Sequence, residues 1–341
     1  MDLIKKISVI KPEITSYQHH TAILSFLDQN DISDQWVFAN YIQLFSIWEE
    51  NRISFFDFYS TSYIINSCPW IKMQHFSREQ LAEKDIATFI IDCINENKYV
   101  YLVTECKHIS VHNYDHPFPH PLIIFGYDRS RDIFHIADFF NGIFSFQEAS
   151  FYEIEASYAQ YIEDSFWWSG AKVFERTTTS FPNSCSLSHL ISIFSDYINS
   201  TNNADYKLNY GSDEHHFIND INYKSIGISV YNDIIKNIEN NIENNIDNFD
   251  FRIIPILTDH KKNILSLITY LCKNEIISSY HLNNFNEVFD NIMKARNLFL
   301  KDIITKQYKN KLAIVEHIKK VKNLEYEAMS LLIQDLQKSS T

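Results

Sequence analysis

Two neighbouring segments decide the fold, His120-Pro-Leu-Ile-Ile-Phe-Gly-Tyr-Asp128 and Ile133-Phe-His-Ile-Ala-Asp138. Both are short, apolar and rich in residues that favour β-strands. The polar cluster between them, residues 128–132, is typical of a turn, so we predict a β-hairpin. If the turn is centred near Arg129 or Ser130, the partner of His120 lies close to Asp138, and the two residues meet at the open end of the hairpin.

An imidazole beside a carboxylate has a recognised chemical use. The carboxylate can hold one ring nitrogen, which leaves the other nitrogen free to accept a proton. His120 and Asp138 are therefore predicted to be a catalytic base and the group that orients it, which is part of a nucleophilic site. The alternative is that the two residues only flank an ordinary hairpin.

The composition excludes several classes of function. The chain has 341 residues, of which 45% are hydrophobic and 21% charged, and this suits one or two globular domains. A formal net charge of −13 argues against binding nucleic acid, which needs clustered Lys and Arg. No run approaches the roughly 18 apolar residues of a membrane span, and the segment Met1–Lys6 lacks the apolar core of a signal peptide. We expect a cytoplasmic protein without a nucleic-acid or membrane partner.

The pattern of elements predicts an α+β protein with two domains, residues 1–178 and 185–341. In the first, helical spacing begins after His20, a capping box at residues 77–80 opens a helix, and strands precede and follow the hairpin. The second domain is predicted to be almost wholly helical. The predicted helices cover residues 187–198, 230–246, 257–274, 284–306 and 310–337. The apolar stripe of the last helix either packs within a small bundle or forms the seam of a homodimer.

Several of these motifs together resemble a known family. The motifs are the hairpin with His120, Gly126-Tyr-Asp128 and Asp138, the helix start at 19–27, Tyr99-Val-Tyr-Leu102, Ser225-Ile-Gly-Ile-Ser-Val-Tyr231, Phe251-Arg-Ile253 and Asp259-His-Lys261. The chain resembles the family of the N-terminal domain of butirosin biosynthesis protein H over nearly its whole length. The resemblance implies a papain-like (C39-peptidase-like) fold, in which an antiparallel sheet and an N-terminal helix form the site. It also implies a role in antibiotic or non-ribosomal peptide biosynthesis, moving acyl groups from a carrier-protein thioester to an amine or peptide with Cys, His and Asp.

The resemblance carries over only part of that site. His120 and Asp138 match, but the position of the nucleophilic Cys, at the start of the N-terminal helix, holds His19 or, with a shift of one, His20. No Cys occurs in the first 67 residues. Cys106 stands where the family pattern leads one to expect Asp, and it is the only nearby thiol. Its alternative role is that of a small buried hydrophobic residue.

Three functions remain open at this stage. In the first, the chain is an acyl-transfer enzyme whose nucleophile lies elsewhere in the sequence, and Cys106 is the candidate. Alternatively it has kept the fold and lost covalent catalysis, and either binds a carrier protein or peptide-like product or uses His120 as a general base. In the third, less favoured interpretation, His19, His20, His120 and Asp138 bind a metal and catalyse hydrolysis.

We expect no cofactor and no metal from the sequence. Adjacent residues on a helix are about 100° apart, so His19 and His20 cannot both point into one site. If Asp138 bonds to His120 it supports a ligand instead of being one, which leaves too few ligands for a tight site. The five cysteines also lack Cys-x-x-Cys spacing, so neither a zinc ribbon nor a disulfide framework is predicted.

Overall fold

The computed structural model describes residues 3–28, 30–59, 64, 68–161, 169–178, 186–201, 224–243 and 252–339. The predicted α+β class, with antiparallel sheets and a helical C-terminal region, is confirmed. The strands, in chain order, are β1 Ile4–Lys6, β2 Leu44–Glu49, β3 Arg52–Phe58, β4 Ile71–Phe76, β5 Lys98–Glu105, β6 Pro119–Asp128, β7 Ile133–Phe140, β8 Ile143–Ser150, β9 Ala171–Arg176 and β10 Lys224–Ile226. The helices are α1 Gln18–Ser25, α2 Asp31–Asn40, α3 Arg78–Leu81, α4 Ile86–Asn95, α5 Phe151–Gln160, α6 Leu187–Asn199, α7 Val230–Glu243, α8 Ile253–Lys273, α9 Tyr280–Thr305 and α10 Lys311–Ser339.

The chain divides into two compact units, and this division differs from the predicted domains in one respect. Unit 1 comprises Met1–Asp28 and Ile65–Phe181, and unit 2 comprises Gln29–Ile64 and Pro182–Thr341. The predicted boundary near residues 178–185 coincides with a point at which the chain passes from unit 1 to unit 2, between Phe181 and Pro182. Residues 29–64, which we placed in the N-terminal domain, instead group with the C-terminal unit because the β2–β3 hairpin pairs with β10.

Unit 1 is built on a seven-stranded antiparallel sheet. Its strands follow the order β4-β9-β5-β6-β7-β8, and β1 pairs with the end of β6. One face of the sheet packs on α4 and α5 through a continuous apolar core. The other face receives α1, where Phe26 stacks on Tyr99 at 4.1 Å between ring centroids and lies 5.4 Å from Phe174. Successive side chains of a strand point to opposite faces of the sheet, so the residues of each strand contribute to the packing on both sides.

The β6–β7 hairpin forms as predicted, but its register is different. Asp128 pairs with Ile133, an irregularity follows between Ile124 and Gly126, and Ile123 pairs with Ala137. Continued by one residue, this register places Leu122 opposite Asp138. His120 is therefore a diagonal neighbour of Asp138 and not its direct partner. The predicted register was wrong because the turn is centred later, between Ser130 and Arg131, and the bulge shifts the pairing back by only one residue.

Local signals explain several helix boundaries in unit 1. The capping box at Ser77 opens only the short α3, since Gln80 reaches back to the Ser77 amide and the helix ends at Leu81. A second cap then starts α4, where the Asp85 carboxylate accepts from the Thr88 amide at 2.7 Å. The single helix predicted from the Ser77 box is thus two helices. Helix α5 begins at a third cap, a capping box formed by Ser150 and Glu153, and ends at Gln160.

Unit 2 combines a small antiparallel sheet, β10-β2-β3, with long helices. Helix α8 packs on α9 and α9 on α10, and α10 also contacts α6 and α7. Most of the predicted α10 stripe is buried within the unit: Val315, Ile318, Val321, Ala328 and Leu332. Leu331 is 40% exposed, and a homodimer through these helices stays a prediction. None of the helices in the described ranges is both long and apolar enough to cross a bilayer.

The C-terminal helices start close to their predicted positions. Helix α8 begins at Ile253 instead of 257, because Pro255 is tolerated in a first turn where amide groups have no intrahelical partner. Helix α9 begins at Tyr280, four residues before the prediction. The predicted helix over 230–246 is confirmed to Glu243, and its last three residues lie outside the described part of the chain.

Candidate active site

The predicted contact between His120 and Asp138 is confirmed. His120 Nδ1 lies 3.0 Å from Asp138 Oδ2. The Asp138 side chain is fully buried, whereas the His120 side chain is 26% exposed. Diagonal neighbours on paired strands are within reach of long side chains, so the bond forms despite the shifted register. His120 Nε2 makes no hydrogen bond to the described residues and is the nitrogen that remains available for proton transfer.

Asp138 is fixed by further contacts. Its Oδ1 accepts a hydrogen bond from the Phe139 amide at 2.7 Å. Its Oδ2 also lies 3.3 Å from Nε2 of His112, so two imidazoles approach the same carboxylate oxygen. A buried carboxylate is costly unless it is hydrogen-bonded, and here the His120 ring and the Phe139 amide supply those bonds. The arrangement fixes the carboxylate and, through it, the orientation of the His120 ring.

His112 is a site residue that the sequence analysis missed. It ends a 3₁₀ turn, Ser110–His112, and its ring lies 4.7 Å from that of Phe140. Its side chain is almost fully buried, and neither ring nitrogen has a hydrogen-bond partner among the described residues. The following Asn113 takes a left-handed conformation, φ 56°, which turns the chain and directs His112 inward. The only sequence signal was that the segment before β6 is rich in His and Asn.

The two imidazoles have different electrostatic environments. Burial lowers the pKa of His120, but the charge and hydrogen bond of Asp138 outweigh burial, so the pKa is raised above its usual value. Burial also lowers the pKa of His112, and there Asp138 only partly compensates, so the pKa is lowered. His120 therefore takes up a proton more readily than His112, and His112 stays neutral. Titratable neighbours whose environments separate their pKa values are a common feature of acid–base sites.

Cys106 lies close to the pair but is a poor nucleophile. It begins a 3₁₀ turn, Cys106–His108, directly after β5, and its Sγ is 4.0 Å from the carbonyl oxygen of His120. The residue is fully buried. Burial, together with the charge of Asp138, raises the pKa of the Cys106 thiol well above its usual range. A thiolate is the reactive form, so this environment disfavours attack on a substrate.

Aromatic rings form one side of the site. Phe118 stacks on His120 with centroids 5.6 Å apart and planes at 17°, and Tyr114 lies 4.7 Å from Phe118. Phe118 is 38% exposed. The Glu105 carboxylate accepts from the Phe118 amide at 2.6 Å, which fixes the segment that carries these rings. The site therefore presents apolar surface beside a base.

The two histidines at the start of α1 are not part of this cluster. Gln18, in the first turn of α1, donates a hydrogen bond from Nε2 to the carbonyl oxygen of Ala137 at 3.4 Å, so the helix begins beside β7. His19 is half-buried and stacks on Tyr17, and His20 is fully buried. Neither ring makes a hydrogen bond or an ion pair with Asp138 or His120. The assignment of His19 or His20 to the nucleophile position stays a prediction, and a metal site of these two with His120 and Asp138 has no support.

A comparison of the chain with protein-family models found no match, and neither did a comparison with curated proteins.

Proposed function

We propose that the chain is a papain-like acyl-transfer protein of peptide or antibiotic natural-product biosynthesis, in which His120 acts as a general base. The observation that supports this most is the 3.0 Å bond between His120 Nδ1 and the buried Oδ2 of Asp138. That bond fixes the ring and leaves Nε2 without a hydrogen bond to the described residues. The antiparallel sheet, with α1 starting beside β7, agrees with the papain-like arrangement that the sequence resemblance implies.

The proposed reaction moves an acyl group from a carrier-protein thioester to an amine. The amine nitrogen attacks the thioester carbonyl and forms the C–N bond, while His120 Nε2 accepts the proton that the amine loses. The C–S bond then breaks, and the imidazolium returns the proton to the departing carrier thiolate. The products are an amide and the free carrier thiol, and no acyl-enzyme forms. Asp138 contributes by stabilising the imidazolium.

We favour direct transfer over covalent catalysis because neither of the two candidate positions for the nucleophile supplies a reactive thiolate. Cys106 is fully buried, and its pKa is raised by burial. The start of α1 carries His19 and His20, and the helix dipole, which would favour a thiolate there, disfavours an imidazolium. The exposed ring of Phe118 and the neighbouring Tyr114 would contact the acyl chain or the amine.

The second candidate is a binding protein for a carrier protein or peptide-like product. Two observations favour this binding role: no Cys stands at the start of α1, and an aromatic surface is exposed at Phe118. Both candidates predict binding of an acyl-carrier protein, and only the first predicts turnover.

The test is an assay of the purified chain with an acyl-carrier thioester and a primary amine, followed by mass spectrometry of amide and carrier. We expect amide formation that falls about 10²–10⁴-fold in His120→Gln, the range for losing a general base. His108→Gln, which changes an exposed histidine in the nearby 3₁₀ turn, is the matched control and should keep full activity. Cys106→Ala should retain activity. Carrier binding without turnover would reject the enzyme and support the binding protein.

A further inference from the structure

We infer that Cys106, His120 and Asp138 form a binding site for a thiophilic divalent cation, with Zn²⁺ as the fitting ion. This inference involves His120 and Asp138, which the proposed function also uses, but the metal site does not depend on acyl transfer taking place. One ligand atom from each residue, a sulfur, an imidazole nitrogen and a carboxylate oxygen, lies within 4.8 Å of the other two. Bonds of about 2.0–2.3 Å in tetrahedral geometry place neighbouring ligand atoms roughly 3.5 Å apart. A small inward movement therefore suffices to complete the coordination.

The set of ligand atoms fits zinc. Thiolate, imidazole and carboxylate are the three ligand types that zinc sites in proteins use, and three protein ligands leave a fourth position open. Hard cations such as Mg²⁺ prefer oxygen ligands only, so the sulfur of Cys106 selects against them.

The three residues come from backbone segments that are bonded to one another. The Cys106 amide donates to the carbonyl oxygen of Phe118 at 3.1 Å, next to the start of β6. The Thr104 hydroxyl donates to the carbonyl oxygen of His120 at 3.3 Å. Asp138 is held by the Phe139 amide. These bonds hold the ligands in place before an ion arrives, which lowers the entropic cost of binding it.

His112 supplies an independent observation. Neither nitrogen of its buried ring has a hydrogen-bond partner among the described residues, although Nε2 is within 3.3 Å of the Asp138 oxygen. An imidazole in that position holds the carboxylate and adjusts its orientation once Asp138 becomes a ligand. The expectation of no metal rested on two points, the divergence of His19 and His20 and the bond between Asp138 and His120. Cys106 takes the place of the two histidines as a ligand, and the ion would displace the hydrogen bond between His120 and Asp138 so that both groups bind it.

The site has a consequence for the proposed reaction. A metal bound to His120 occupies the imidazole that would take the proton from the amine. Zinc should therefore inhibit acyl transfer, and the metal-free chain should be the active form.

The first test is titration of the full, metal-free chain with Co²⁺, which replaces Zn²⁺ and reports its ligands by absorption. We expect one Co²⁺ per chain, with a thiolate-to-cobalt charge-transfer band. Cys106→Ala should abolish that band, and Cys93→Ala, a matched change of another buried cysteine in unit 1, should leave it intact. His112→Gln should keep the band and weaken the affinity by about 10-fold or more, the usual cost of losing such a supporting group. Circular dichroism of each variant checks that it is folded.

No charge-transfer band at saturating Co²⁺, or a band that survives Cys106→Ala, would overturn the site. The acyl-transfer assay on the same metal-free sample separates this result from that of the proposed function. Cobalt binding without transfer supports the metal site and rejects the acyl-transfer proposal. Transfer without cobalt binding does the reverse. Transfer that Zn²⁺ abolishes in the wild type but leaves unchanged in Cys106→Ala supports both.

Discussion

Each unit of the protein contains a buried carboxylate surrounded by polar side chains, and the two clusters differ in how completely their atoms are bonded. In unit 2, Glu325 Oε1 accepts from Lys261 Nζ at 2.5 Å. Its Oε2 accepts from the hydroxyls of Tyr231 at 2.8 Å and Tyr197 at 3.0 Å. All four side chains are buried, and the carboxylate has a partner at both oxygens.

His260 extends the unit 2 cluster in the same manner. Its Nδ1 accepts from Lys261 Nζ at 2.7 Å, and its Nε2 donates to the carbonyl oxygen of Ile42 at 2.6 Å. Both ring nitrogens are thus used, and the neutral form is required. In unit 1, by contrast, Asp138 holds a half-buried His120, whose second nitrogen makes no bond to the described residues, and a buried His112 with an unpartnered nitrogen.

This difference separates a structural role from a chemical one. A fully bonded buried network fixes the packing of the helices that carry it and offers no atom to a ligand. Unpartnered polar atoms are rare in folded proteins and need an explanation. The cluster at Asp138 has both an unpartnered atom and an exposed edge, and these are the features that a reacting group or an ion requires. The following predictions test that contrast.

The largest loss of stability is expected from Glu325→Gln in unit 2. The change leaves the Lys261 ammonium buried without its counter-charge, which typically costs 3–5 kcal/mol in the free energy of unfolding. Urea denaturation followed by circular dichroism measures the loss. Glu327→Gln, an exposed change on the same helix, is the matched control and should have almost no effect. A loss below about 1 kcal/mol for Glu325→Gln would remove the structural role of this cluster.

Asp138→Asn should cost less stability and far more function. The hydrogen bond of a charged group contributes about 1.5–3 kcal/mol, and the amide can still accept from the Phe139 backbone. We expect a loss within that range in urea denaturation, together with loss of acyl transfer. If Asp138→Asn were as destabilising as Glu325→Gln while transfer continued, the two clusters would have the same, structural, role.

The pH dependence of stability should have opposite signs at His260 and His120. Burial, and then the charge of Lys261, lower the pKa of His260 well below 6.5. The unfolded chain therefore binds the extra proton, and stability falls by up to about 1.4 kcal/mol per pH unit as pH falls below 6.5. The raised pKa of His120 contributes stability that is present below 6.5 and is lost as pH rises through the folded value.

Both effects are measured by chemical denaturation of wild type, His260→Gln and His120→Gln between pH 5 and 8, a range that brackets the ordinary histidine pKa of about 6.5. The quantity compared is the slope of the free energy of unfolding against pH. The His260 variant should lose less stability on acidification than wild type. The His120 variant should lose more. Identical slopes in all three proteins would contradict the assignment of charge states in both clusters.

The smallest effect is expected at the aromatic edge of the unit 1 site. Phe118→Ala removes a ring that stacks on His120, and such contacts contribute about 0.5–1.5 kcal/mol. We expect a modest loss of stability and a higher KM for the acyl carrier, with kcat little changed. Tyr152→Ala, which alters an exposed aromatic residue elsewhere in unit 1, is the control. An unchanged KM would show that Phe118 does not contact the substrate.

The sequence predicted the features that depend on local pattern and missed those that depend on distant pairing. The β6–β7 hairpin and its His120–Asp138 contact follow from alternation and a polar turn. The turn is centred later in the polar cluster than the pattern indicated, so the register was shifted, and the bulge at Phe125 leaves no comparable signal. The pairing of β2 with β10 joins segments almost 180 residues apart, which no local pattern encodes. His112 was missed because its position depends on a left-handed turn in an irregular segment.

NMR titration of the His120 ring measures whether the buried carboxylate of Asp138 holds His120 as a protonatable base. The ring resonances are assigned by their loss in His120→Gln, and the titration is repeated in Asp138→Asn. We predict a His120 pKa above 6.5 in the wild type, because the charge and hydrogen bond of Asp138 outweigh burial. In Asp138→Asn burial is opposed only by the backbone hydrogen bond with Pro121, so the pKa should fall. A wild-type pKa at or below 6.5 that Asp138→Asn leaves unchanged would show that Asp138 does not favour the protonated form of His120.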